Sequence, residues 1–192
     1  MDRRALIVAG LAGLSTSGRA LAQSAPPVAG TTATYDADEL ARGVSDFLGV
    51  TAEAAGTTIE RIFRDNGRPT GYLAGEEGSG ALGVGLRYGV GNLFMKERPS
   101  QRVYWQGPSI GWDTGGNASR VFTLCYNLQY PDGIYRRFPG MEGTAYFVGG
   151  IGVNYQKADE IILAPIRAGV GLRLGANIGY LSYSRKRHIN PF

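Results

Sequence analysis

The sequence predicts a mainly β fold: a small closed antiparallel β-barrel of about eight strands, preceded by two short N-terminal α-helices. Three observations predict it. A seven-residue string occurs twice, as Gly83-Val84-Gly85-Leu86-Arg87-Tyr88-Gly89 and, with one substitution, as Gly169-Val170-Gly171-Leu172-Arg173-Leu174-Gly175. Both copies lie in stretches where glycine recurs at every second position with apolar residues between. After Pro69 the chain becomes a succession of period-two runs divided by tight turn signals. Glycine repeated on one face weakens a flat strand, but it lets a strand bend sharply or lets another element approach its backbone. A small closed barrel needs both.

The first element is a removable targeting segment. Arg3 and Arg4 form a positive start, Ala5 to Leu14 an apolar stretch, and Ala20-Leu21-Ala22 a small-residue cleavage site, so cleavage falls between Ala22 and Gln23. The apolar stretch is far shorter than the ~20 residues that cross a bilayer. The Arg pair leaves Sec and twin-arginine export both open. The expected product is a soluble periplasmic chain of about 170 residues, one domain with a sizeable core. Losing Arg3, Arg4, Arg19 and Asp2 halves the formal charge of +4. So weak a positive field makes nucleic acid a poor partner.

Residues 23–35 form a Pro/Ala/Thr/Gly lead-in without periodicity, and two amphipathic helices follow over 36–67. Asp36 with Glu39 makes a capping-box-like start, and Leu40, Val44, Phe47 and Leu48 line one face before Gly49. Thr51 caps the second helix, whose apolar stripe is Ala55, Ile59, Ile62 and Phe63; Asn66-Gly67 and Pro69 stop it.

Residues 68–192 are assigned to the barrel, packed with the helices as one domain. Strands are expected at about 70–76, 81–88, 91–97, 101–107, 119–127, 133–138, 143–156, 160–175 and 176–186. In the first glycine-rich stretch Leu82, Val84, Leu86, Tyr88 and Val90 share one face, and Gly83, Gly85, Arg87, Gly89 and Gly91 the other. Around the second copy Ile166, Val170, Leu172 and Leu174 oppose Arg167, Gly169, Gly171 and Arg173. The aliphatic face is expected to fill the barrel, which turns Arg87, Arg167 and Arg173 outward as solvated charges. Arg87 and Arg173, in equivalent phase, should then emerge on the same side of the wall. In the alternative, the three converge at a barrel mouth with Tyr104, Trp105 and Trp112 and bind an anionic lipid head group or a glycan phosphate.

Catalytic patterns weaken on inspection. Gly107-Pro108-Ser109-Ile110-Gly111 fits a nucleophile-elbow string, and Ser109, Asp132 or Asp159, and His188 occur in hydrolase order. That motif needs a strand–turn–helix on a parallel sheet, and no βαβ periodicity is present. The glycine repeats lack dinucleotide spacing and the helix that should follow. One histidine and one cysteine cannot assemble a transition-metal centre, so no cofactor or metal is expected. Glu76 and Glu77 face opposite sides of a strand and read as surface carboxylates. Cys125, within Val121-Phe122-Thr123-Leu124-Cys125-Tyr126, reads as a small buried hydrophobe.

The strings Trp105-Gln106-Gly107-Pro108-Ser109-Ile110-Gly111, Gly115-Gly116-Asn117-Ala118-Ser119, Ala164-Pro165-Ile166-Arg167-Ala168-Gly169 and Asn190-Pro191-Phe192 carry a resemblance. With Gly71-Tyr72-Leu73 and Leu86-Arg87-Tyr88-Gly89 they resemble the EipA family from about Tyr35 to Phe192. The resemblance implies a soluble periplasmic β-barrel of about eight strands that supports envelope integrity and stress resistance. It supplies no catalytic residues. The glycine-alternating strands are also distantly similar to the SYLF lipid-binding domain. The expected function is therefore non-enzymatic, through an envelope lipid, glycan or envelope protein. The rivals are an outer-membrane barrel, against which Arg185-Lys186-Arg187 stands near the terminus, and a hydrolase using Ser109.

Overall fold

The computed structural model describes residues 32–113, 119–169 and 179–188, with side chains left out at 79–85 and 109–113. The cleavage site at Ala22 and Gln23, most of the second glycine string with Arg173, and the side chains of Trp112 and Ser109 lie outside the described residues. The comparison of Arg87 with Arg173 therefore lies outside them too.

Both helices form where their caps place them. In α1 (Ala37–Leu48) the Asp36 carboxylate accepts from the Glu39 N–H at 2.8 Å, and left-handed Gly49 closes the last turn. In α2 (Ala52–Asn66) the Thr51 hydroxyl accepts from the Ala54 N–H at 3.2 Å, and Gly67 ends the helix. Each such cap contributes about 1 kcal/mol. Leu40, Val44, Ala55, Ile59 and Ile62 are buried against one face of the sheet.

The strands are β1 (Gly71–Met95), β2 (Gln101–Asp113), β3 (Ser119–Tyr126), β4 (Arg137–Pro139), β5 (Tyr146–Val148), β6 (Ile151–Val153), β7 (Gln156–Ala158), β8 (Ile161–Ala168) and β9 (Tyr180–Ser184). They form one antiparallel sheet in the order β4-β9-β2-β1-β3-β8-β6-β5, with β7 also on β8. The three runs expected at 70–76, 81–88 and 91–97 are one continuous strand that doubles back on itself. Residues 71–77 pair with β3, and residues 81–93 pair with β2. The two ends of β1 touch: the Tyr72 ring stacks on Phe94 at 4.9 Å and on Phe122 of β3 at 4.9 Å. A side chain at Gly75 or Gly91 would run into the other's backbone, so glycine is what permits this approach.

Other strand expectations shift for local reasons. Pro131 starts a 3₁₀ turn over Pro131–Ile134, which shortens the strand expected at 133–138 to β4. The run 143–156 breaks into β5, β6 and β7. Gly149 and Gly150 both take positive φ, 55° and 83°, and make the tight turn between β5 and β6.

The sheet is barrel-like rather than closed by a continuous ladder. β7 pairs with one end of β8, and one isolated bridge, Gly140↔Gln156, joins it to the chain just beyond β4. At the other end of β8, β6 and β5 pack on α2. Alternation divides the core in two. Phe122, Leu124, Tyr126, Ala164 and Ile166 meet the helices, whereas Leu73, Val121, Cys125, Leu163 and Trp105 fill the interior with Leu128, Phe138 and Leu181. Cys125 is fully buried in that interior, as its sequence neighbourhood predicts.

Candidate functional site

The interior face of β1 carries Leu73, then Gly75, then Glu77. Glu77 is therefore held inside, only 4% exposed, while adjacent Glu76 is exposed. The opposite facing of the two carboxylates follows from strand geometry. The reading of Glu77 as a surface group is corrected: the wall turns it onto Arg167.

Arg167 stands opposite Val121 in the β3–β8 ladder and shares its interior facing. Its Nε donates to Glu77 Oε1 at 2.5 Å and its Nη2 donates to Oε2 at 3.2 Å, a two-point clamp. Trp105 Nε1 donates to Oε2 at 3.2 Å, and Arg87 Nη1 lies 3.5 Å from Oε1. Asn154 Oδ1 accepts from Arg167 Nη1 at 3.0 Å. Burial by itself raises the Glu77 pKa, but Arg167 and Arg87 outweigh it and hold the carboxyl at about 2.

This overturns the expected facing of the arginines. Arg167 is 5% exposed and Arg87 is nearly covered, so neither is a solvated outward charge. Among the described residues of β1, the face of Arg87, Gly89 and Gly91, not the aliphatic face, looks inward. The reason is Trp105: its indole lies directly over Gly89, and any Cβ there would overlap the ring. The glycines make room for an aromatic side chain from the neighbouring strand.

Beside this cluster, and lined in part by Glu77 and Trp105 themselves, the wall carries an open cleft of ≈ 470 Å³. Its floor is the outward face of three strands. Tyr88 pairs with Gln106, Val90 pairs with Tyr104, and Tyr104 pairs in turn with Ser184. Arg102, Arg187 and His188 lie along it, Glu76 lines it from residues 71–77, and Gly89 and Trp105 reach it from the interior side. Among the described residues neither Arg102 nor Arg187 makes an ion pair, whereas nearby Arg185 is bound to Asp132 at 2.6 Å.

Of the sequence-predicted site residues, Tyr104 and Trp105 line the cleft, and Arg87 and Arg167 meet at Glu77. Tyr88, Arg102, Arg187, His188 and Glu77 were not singled out for this site. The period-two phase that puts Arg102 on the same strand face as Tyr104 is the signal that could have found one of them. Ser109 lies within β2, opposite Gly85, so its motif runs along a strand rather than around a strand–turn–helix elbow.

A barrel-like β domain with two helices on one outer face, an apolar cluster among the described interior residues and an open polar–aromatic cleft is the class these features define. Within that class the chain belongs to the EipA family, whose profile, described as envelope integrity protein A, matches residues 33–192. It is also similar to a solved beta-barrel-like, uncharacterized protein from Brucella abortus. The identity is 46%, the match covers 83% of this chain and 99% of that one, and the TM-score is 0.76. A search of curated proteins found no match. Family membership implies a role in envelope integrity. No helix among the described residues is long and apolar enough to cross a membrane.

Proposed function

We propose that this protein is a non-enzymatic periplasmic binding module that supports envelope integrity and stress resistance by holding a ligand in the open cleft. The candidate ligands are an envelope lipid, a glycan or a segment of an envelope protein. One observation carries the reading: the described interior residues form a packed apolar cluster, while the cleft beside them is open, lined by aromatic rings and edged by cations. The export signal at residues 1–22 supports the location.

The expected closed barrel of about eight strands is kept as part of this reading: it counts the two halves of β1 separately and takes the single Gly140↔Gln156 bridge as the place where the wall would meet. Against the outer-membrane rival, the helices cover one outer face. The exposed large hydrophobic side chains among the described residues are the scattered Tyr130, Met141 and Phe147, rather than a lipid-facing band.

The test is a deletion strain complemented with the wild-type chain or with Tyr104→Ala, alongside native mass spectrometry and lipid extraction of the periplasmic protein. The reading expects a co-purifying or titratable ligand, and envelope-stress sensitivity in the Tyr104→Ala strain despite normal protein levels. Full complementation by a stable Tyr104→Ala protein, with no bound mass, would leave a scaffold in its place. Ser109→Ala should complement fully; a stably folded Ser109→Ala protein that fails would favour the hydrolase.

A further inference from the structure

We propose that the cleft recognises a phosphorylated saccharide. This inference rests on the cleft being the binding site and assigns its ligand chemistry. Three kinds of group meet there. Tyr88 and Tyr104 supply aromatic faces, which suit the apolar C–H face of a sugar ring. Glu76, Gln106 and Ser184 supply oxygens and an amide that can hydrogen-bond ring hydroxyls. Arg102, Arg187 and His188 supply donors for a phosphate.

The placement matters more than the inventory. Tyr104 sits in the middle strand, with Val90 beside it on one side and Ser184 on the other. Arg102 precedes Tyr104 by two residues on the same face of β2, and Arg187 and His188 follow β9 past Ser184. The cations thus gather beyond one end of the tyrosine platform, whereas Glu76 enters from the preceding segment of β1. A ligand with a neutral polyhydroxyl body and one anionic end matches that division. A plain acyl chain does not, because it leaves Arg102, Arg187 and Glu76 without partners in a partly desolvated cleft. Neither arginine is committed to an ion pair among the described residues, so binding a phosphate breaks none of those pairs. The volume, ≈ 470 Å³, falls in the range of small-ligand sites.

The purified mature chain would be titrated with glucose 1-phosphate, glucose, inorganic phosphate and phosphatidylglycerol vesicles. Binding would be followed by calorimetry and by tyrosine and tryptophan side-chain resonances. Glucose 1-phosphate is expected to bind at least tenfold more tightly than glucose or phosphate alone. Arg102→Ala with Arg187→Ala should remove that preference and leave the glucose affinity in place, while Tyr104→Ala should weaken both sugars. Equal affinity for glucose and glucose 1-phosphate would overturn the inference, as would vesicle binding without phosphosugar binding. Loss of complementation by Tyr104→Ala together with no phosphosugar binding would sink the ligand assignment and spare the cleft. Full complementation by that variant would remove the cleft itself.

Discussion

Arg167 clamps both carboxylate oxygens of Glu77 from 90 residues away, tying β8 to β1 inside the sheet. No other group in the described interior is so tightly committed, because Trp105 and Arg87 converge on the same carboxylate. A buried ion pair adds little net stability over a well-packed apolar pair, but breaking one side of it is costly.

Glu77→Gln should therefore destabilise the fold by about 3–5 kcal/mol, because it leaves two covered guanidiniums without their anion. Urea unfolding reads the change directly. Glu77→Leu with Arg167→Met should lose less than the two single changes together, with a coupling of about 1–3 kcal/mol. Strict additivity would mean that the clamp is not a unit.

The same carboxylate sets an acid limit. Its pKa is held at about 2, below the ordinary 4.5, so the unfolded chain takes up the proton first as pH falls. Its contribution is complete above about pH 4.5 and disappears progressively as pH falls through about 2. The loss amounts to about 3 kcal/mol. Stability measured across that window should slope in the wild-type chain and flatten in Glu77→Gln.

Two glycine substitutions should have opposite signs. Gly89→Ala drives a methyl into the Trp105 indole and should cost more than about 2 kcal/mol, with a shifted tryptophan emission. Gly56→Ala in α2 meets nothing within 4 Å and should stabilise by about 0.5–1 kcal/mol. Thermal melts of the two variants check both signs.

Cys125 is fully buried, and burial raises its pKa well above the ordinary thiol range. The folded protein should resist a thiol reagent such as dithionitrobenzoate at pH 8, and labelling should follow global unfolding. Fast labelling under native conditions would mean that β3 opens independently.

The helices were legible because their signals are local: Asp36 and Thr51 sit within three residues of the N–H groups they cap. Burial of Cys125 was legible because its neighbours are apolar on both sides. The alternation around Gly89 was legible, but its direction was not. The deciding side chain, Trp105, comes from another strand, and no pattern within β1 reveals it. Glu77 looked like a surface acid for the same reason, since its partner lies far along the chain. The cleft draws on Tyr88, Arg102 and Arg187 from three separate segments, and Tyr88 lay on the aliphatic face that was expected to fill the barrel. The run 143–156 reads as one strand in the sequence, whereas positive φ at both Gly149 and Gly150 makes a turn within it.

The Gly140↔Gln156 bridge gives the sheet a seam. The ladders between named strands each have three or more residue pairs, as in β1–β2 and β3–β8. Here a single residue pair closes the wall beside the fully buried Gln156. Local openings cost least where the fewest hydrogen bonds must part, so the wall should breathe there first. The seam should then be the first place where water reaches the buried Gln156. Acid, exchange and proteolysis would be felt at residues 140 and 156 well before the helices release the opposite side.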